Sequence, residues 1–182
     1  MNAPAARDPA DRLHGARLEA SQAGPSQQLL RLAVGRENLA VPISAVREIL
    51  EVGRLTPLPQ TPDFVRGVMN LRGAVVPVID LGARFGFGAS TLGRRSAIIV
   101  VEARGDDDFD RLIAGVLVDA VFEVLEVDAH RIEAAPHLGV GIASEFIAGM
   151  VHVNGSYAVL LNLDQTLSPA ALCQLIADSQ NA

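Results

Sequence analysis

The chain has 182 residues, 49% of them apolar and 20% charged. That is the make-up of one ordinary domain, or of two small ones sharing a core, and it excludes disorder throughout. Fifteen basic residues, every one of them Arg, stand against 21 acidic ones for a net charge of −6, and the only close basic cluster is Arg94-Arg95; nucleic acid and anionic lipid call for the opposite balance, so neither is an expected partner. The longest apolar run uninterrupted by Gly is short, around Ala97 to Val101, far below the roughly 20 residues that span a bilayer, which argues against membrane insertion. The first residues carry no apolar stretch of the signal-peptide kind, and the lone Cys173 forbids an internal disulfide; together they fit a cytoplasmic protein.

In chain order, residues 1–28 are Ala, Pro, Gly, Ser, Gln and balanced charge, with Met1, Leu13 and Leu18 as the only large apolar side chains. Such a segment cannot offset its own ordering entropy and reads as a disordered tail. From Leu29 the sequence turns to short Val, Ile and Leu runs separated by Gly, Pro, Asn and Asp, the pattern of many short strands. Strands are expected at Leu29–Val34, Leu39–Pro42, Arg47–Val52, Gly67–Leu71, Ala74–Ile79, Ser96–Ala103, Leu112–Val118, Phe122–Val127, Ile147–Val153 and Ser156–Leu161. Short helical turns are expected at Ser44–Val46, Asp63–Arg66 and Leu81–Phe85, the last capped by Asp80. Ser168 and Pro169, followed by Leu172, Leu175 and Ile176 on one face, predict a C-terminal helix over 168–177.

Two internal repeats can be read directly from the letters. Leu39–Val52 (LAVPISAVREILEV) and Ala114–Val127 (AGVLVDAVFEVLEV), 75 positions apart, share seven of fourteen residues. Gly67–Leu81 (GVMNLRGAVVPVIDL) and Gly149–Leu163 (GMVHVNGSYAVLLNL), 82 apart, share the apolar pattern and both Gly positions. Each copy of the second repeat turns through two residues, Arg72-Gly73 or Asn154-Gly155, and Asn-Gly is the strongest hairpin signal because a type I′ turn needs positive φ twice. The chain therefore reads as two related β subdomains, about 29–92 and 93–167, each a small barrel, since closure removes sheet edges. Nearly continuous apolar strands imply that the two bury faces against each other, leaving a groove at their junction.

Most catalytic readings fall away. His14, His130, His137 and His152 are scattered without Cys partners, so no metal site is expected. The run Asp106–Asp110 lacks the alternating ligands, Gly and terminal Glu of a calcium loop, and reads as a solvated tip. Gly86-Phe87-Gly88 follows a helical turn and has no phosphate-binding Lys; it reads as a flexible linker. There is no nucleophile elbow, and Cys173 lies among apolar positions of the final helix. One charged pair stands apart: Glu48, inside the apolar run Val46–Val52, and Arg72, at a hairpin turn of the same subdomain. In a closed barrel they form an ion pair beside the groove; the alternative is that each points separately into water.

The stretch from Gly67 to Leu81, with its N-L-R-G core and P-V-I-D-L strand, resembles the signature of the CheW-like coupling proteins of bacterial chemotaxis. The likeness runs from about Leu29 to Ile176 and takes in Val41-Pro42-Ile43, Val46-x-Glu48-Ile49, the Pro59 and Pro62 spacing, and Gly115–Asp119 with Val121. It implies a mostly β fold, two intertwined five-stranded SH3-like barrels around a common core, with no enzymatic activity and no cofactor. It implies an adaptor that joins the cytoplasmic tips of chemoreceptors to the regulatory domain of a CheA-type histidine kinase, in arrays at the inner face of the membrane. Carried over by position, the receptor-binding residues are Val46, Glu48, Gly67, Arg72 and Val124, while Gly115 and Val121 match positions near the junction. The kinase contact is implied to use a barrel end of the first subdomain, with no residues assigned. The tail, and Gly82-Ala83 where members often carry a charge, depart from the pattern and leave open whether the pathway is flagellar chemotaxis, surface motility or biofilm formation. From another class, a small-molecule sensor using the groove as a pocket is the competing reading.

Overall fold

The computed structural model describes residues 24–105, 111–135 and 141–168; the expected acidic tip, most of the tail, His137 and the C-terminal helix with Cys173 lie outside the described residues. Eleven strands form among the described residues: β1 Ser26–Val34, β2 Glu37–Pro42, β3 Val46–Glu51, β4 Val65–Leu71, β5 Ala74–Asp80, β6 Ala97–Arg104, β7 Arg111–Val118, β8 Ala120–Asp128, β9 Ile132–Glu133, β10 Ile147–Val153 and β11 Ser156–Leu161. Two single-turn helices, α1 Leu81–Arg84 and α2 Leu163–Thr166, follow β5 and β11, and 3-10 turns occupy Ile43–Ala45, Ala129–Arg131 and Ser144–Phe146. The helical turn expected over Asp63–Arg66 is instead a turn at Asp63–Phe64 that runs straight into β4. There Val65 donates to the Pro62 carbonyl and pairs with Ile79, so a β-branched side chain with a buried cross-strand neighbour overrides a weak local propensity. The 86–90 segment is also held more firmly than a linker: Phe87 N–H donates to the Gly82 carbonyl and Ser90 N–H to Asp80.

The strands divide into a five-stranded sheet, β3-β6-β7-β5-β4, and a six-stranded sheet, β8-β1-β2-β11-β10-β9. Both curl until their edges meet. In the first, the chain leaving β3 returns so that Thr56 pairs with Val68 on edge strand β4, by two 2.9 Å hydrogen bonds. In the second, edge strands β8 and β9 are joined by the three residues Ala129–Arg131. β9, pairing with β10 at Val151 and Met150, is the counterpart of the Thr56 bridge and accounts for the sixth strand.

The repeats map onto each other with their hydrogen bonding intact. The parallel pair Val78↔Gly115 of β5 and β7 has its image in Leu160↔Ala40 of β11 and β2, Val78 moving by 82 positions and Gly115 by 75. The bulge between Val65 and Gly67 recurs between Ile147 and Gly149. The pairing does not stay within one repeat, however. The β1–β2 hairpin lies in the sheet otherwise built from 120–161, and β6–β7 lies with β3, β4 and β5. Each copy has lent its hairpin to the other barrel.

This exchange explains the unbroken apolar strands. Leu30, Leu32, Val34, Leu39, Val41, Ile79, Ile99, Val101, Val116, Val118, Val159 and Leu161 fill one shared core between the sheets. Their neighbours point the other way, Leu29, Ala40, Val127, Val151 and Leu160 into the second barrel and Val78, Ile98 and Leu117 into the first. Side chains alternate along a strand, so strands buried on both faces must be apolar at every position. Fully burying each Leu, Ile or Val contributes about 1.5–3 kcal/mol.

Polar groups fix the junction. Asp80, fully buried, caps α1 by accepting from Ala83 N–H, and also accepts from the N–H and Oγ of Ser90, at 3.2, 2.8 and 2.6 Å. Arg66 lies 3.7 Å from its second oxygen. Asn162, its counterpart 82 residues on, caps α2 through Gln165 N–H. Between the two copies the Arg84 guanidinium lies 5.0 Å from the ring centre of Phe64 and 4.5 Å from that of Phe146, which are equivalent residues, and donates to the Thr166 carbonyl at 3.2 Å. Burial pushes its pKa down and Glu145 opposes that shift. Replacing Asp80 by Ala would strand buried donors, and a loss of about 3 kcal/mol in urea unfolding free energy is expected. A loss under 1 kcal/mol would show that the network is not structural.

Candidate docking surface at the first hairpin

β4 and β5 are joined by Arg72 and Gly73 at φ +52° and +87°, and β10 and β11 by Asn154 and Gly155 at +48° and +82°. Both are turns of the I′ kind, whose twist matches the strands they join. The first turn is closed further by Gly73 N–H donating to the Asn70 side-chain oxygen at 3.0 Å. From this tip Arg72 reaches to β3, its Nη2 2.9 Å from Glu48 Oε1. β3 and β4 are the two edges of the five-stranded sheet, so the ion pair spans the seam where the barrel closes. It is an open pair, the Arg72 side chain being 79% exposed and that of Glu48 26%.

The other three expected residues are distributed around this seam and beyond it. Val46, at the start of β3, packs against the shared core. Gly67 is buried at φ +136°, where an added Cβ would sit 2.4 Å from the Thr56 carbonyl oxygen. It permits the close approach of two backbones that closes the barrel. Val124 belongs to the other sheet, on β8 opposite Leu30, and is half exposed. Of the two junction matches, Val121 packs on the shared core, whereas Gly115 faces Ile98, Val78 and Met69 inside the first barrel.

Two strands of the same sheet also carry exposed apolar side chains. Ile49 follows Glu48 on β3 and is 45% exposed, and Val75, just past the turn, is 70% exposed. Their images in the second copy, Val124 and Tyr157, are likewise exposed. There the position of Arg72 is taken by Asn154, and Glu123, the image of Glu48, is held instead by Arg31 through two hydrogen bonds of 3.0 and 3.1 Å.

A second acidic centre, Glu102, was not among the expected site residues. It accepts from Arg47 on β3 and from Arg111 on β7, and the Arg111 hydrogen bond, ahead of that from Arg47, holds its pKa below the ordinary carboxylate value. Its signal in the sequence was the single charge ending the apolar run of β6. Glu123 is lowered in the same way by Arg31.

A pair of barrels presenting an ordered ion pair at a hairpin tip, with exposed aliphatic side chains on the same sheets, has the form of a protein-binding module. The chain belongs to the CheW-like domain family, whose model matches residues 28–171. It is 32% identical over 142 residues to chemotaxis protein CheW of Klebsiella aerogenes, covering 78% of this chain and 82% of that one. It is 36% identical over 138 residues to chemotaxis protein CheW of Rhizobium meliloti, covering 76% and 85%. A solved structure, the scaffolding protein TtCheW of Thermoanaerobacter tengcongensis, superposes with a TM-score of 0.68 at 31% identity, covering 78% and 88%. Proteins of this family are scaffolding adaptors and not enzymes. No helix among the described residues is long and apolar enough to cross a membrane.

Two measurements test this geometry. Gly67→Ala should lower unfolding stability by about 2 kcal/mol or more, because backbone must move to admit the methyl, and Gly115→Ala, which meets only side chains, should cost less; equal effects would refute the close-approach argument. The carboxylates of Glu102 and Glu123 have folded pKa values below their unfolded ones. Their contribution is thus present above the unfolded value of about 4.3 and lost as pH falls through the folded values. Stability should fall below about pH 4.3, and less steeply in the variant carrying Glu102→Gln and Glu123→Gln.

Proposed function

We propose that this protein is a coupling adaptor that joins chemoreceptors to a CheA-type histidine kinase, so that receptor occupancy alters kinase activity. Membership of the CheW-like family supports the class of function. The observation that carries the docking site is the Arg72–Glu48 pair. An exposed ion pair stabilises by about 0–1 kcal/mol, and holding a non-Gly residue in the left-handed region costs about 1–2 kcal/mol. Little net stability results. What the arrangement produces is a guanidinium held at a fixed point above the closed seam, on a sheet that also exposes Ile49 and Val75.

A helical receptor tip is recognised by an apolar stripe and a few oriented charges. Val46, Glu48, Gly67, Arg72 and Val124 are the residues we assign to that contact, Gly67 acting by keeping the seam closed. The cytoplasmic tip of the receptor is the partner on this side, and the regulatory domain of the kinase is the second partner. Working as an array component, the adaptor would operate in the cytoplasm against the inner face of the membrane. The tail expected over 1–28 we take to end ahead of Ser26, since Ser26–Gln28 already pair with Glu126–Asp128 in the sheet, and the domain to run from there to 177.

Co-elution with the kinase regulatory domain of the same organism at tens of micromolar is expected in gel filtration, and its failure would sink the adaptor reading. Arg72→Glu faces Glu48 with like charge and should weaken recruitment to a receptor cytoplasmic fragment at least tenfold. Its thermal midpoint should stay within about 4 °C, the shift that 1 kcal/mol produces in a domain of this size. Outright unfolding would make Arg72 a structural residue instead.

A further inference from the structure

The two hairpin tips are duplicates that have solved the same backbone problem differently. Both place a non-glycine residue at positive φ, Arg72 at +52° and Asn154 at +48°. Asn tolerates the left-handed region because its short polar side chain bonds locally, whereas a long side chain such as Arg has no such compensation. At the second tip, where Asn takes the strained position itself, the residue two places earlier is His152, and its ring packs edge-on against Tyr157 at 5.1 Å. At the first tip, where Arg takes it, the residue two places earlier is Asn70. Its side-chain oxygen accepts from Gly73 N–H, across the back of the turn.

We infer that Asn70 is the positioning residue for Arg72: its hydrogen bond to Gly73 holds the turn in the conformation that aims the guanidinium at Glu48. The inference rests on the docking reading above only for its consequence in partner binding. The conformational part stands on the two tips alone. A hydrogen bond across an exposed turn stabilises by an amount that shifts the folding equilibrium about fivefold. At this tip it would offset the left-handed arginine, and at a tip carrying Asn it would be largely redundant. The local distinction is therefore between two pairings, Asn70 with Arg72 and His152 with Asn154, each with one Asn and each putting it where the turn needs a carboxamide.

The test is a cycle on the full chain. Asn70→Ala should raise the unfolding equilibrium constant about fivefold when Arg72 is present. It should raise it less than twofold in the Arg72→Asn background, where the tip is remade after the second hairpin. Equal losses in both backgrounds would overturn the inference, since a turn bond with no connection to Arg72 acts alike in each. Asn70→Asp keeps the acceptor and should retain slow amide exchange at Gly73, which Asn70→Ala should lose; fast exchange in the Asp variant would also overturn it. Recruitment to a receptor cytoplasmic fragment should weaken severalfold in Asn70→Ala and recover in Asn70→Asp. If Arg72→Ala itself leaves recruitment unchanged, the docking reading fails, while the stability cycle still decides the positioning role.

Discussion

The constraint on which this structure depends is that its central hairpins are buried on both faces along most of their length. β1–β2 and β6–β7 each lie with one side inside a barrel and the other in the core shared between the barrels. A hairpin with two apolar faces is insoluble alone, and the only arrangement that hides both is one in which two such units are pressed together. The two halves of the chain are therefore not domains in the sense of parts that could be pulled apart. Exchange of the hairpins makes each barrel incomplete without the other copy, and rigidity of the whole follows from close packing of aliphatic side chains that have no alternative place to go.

Against that background the polar groups inside have specific work. Asp80 and Asn162 cap equivalent helical turns, and Phe64 and Phe146 offer their carbonyls to the N–H groups of those two capping residues at 2.7 and 2.8 Å. Arg84 lies between the rings of the same two phenylalanines. A single guanidinium thus touches both copies at equivalent points, and an Arg suits such a place because its flat, weakly hydrated head stacks on aromatic faces while it keeps a donor for the Thr166 carbonyl. The junction is specified by these groups in a way that methyl-on-methyl packing would not specify it.

Much of this was legible in the letters. The strands follow from β-branched runs and turn residues, the repeats from offsets of 75 and 82, and the two-sided burial from the lack of polar alternation. The Glu48–Arg72 pair was visible as a charge interrupting an apolar run and a charge at a turn. The hairpin exchange was not, because duplicated halves carry the same apolar pattern whether a hairpin pairs with its own half or with the other. The turn at Asp63–Phe64 was misread as helical because local propensity is silent about Ile79, fifteen residues on. Arg84 gave no sign, since a cation between two rings far apart in sequence leaves no pattern of spacing. Glu102 did leave one, a charge at the end of β6, but the Arg residues that hold it come from β3 and β7.

Duplication also accounts for how such a fold carries a specific surface at small cost. The shared core uses both copies alike and ties their sequences together through packing, so Val78 and Leu160, or Ile79 and Leu161, remain aliphatic. The hairpin tips lie outside that core, exposed to solvent, and changes there disturb nothing buried. One tip has become Asn70-Leu71-Arg72-Gly73, with a charge reaching over the seam to Glu48, while the other has become His152-Val153-Asn154-Gly155, with Glu123 turned to Arg31 instead. The same backbone turn thus presents a fixed cation on one barrel and an aromatic pair on the other. An internally symmetric scaffold thereby acquires two chemically different faces with no change in the core that both copies share.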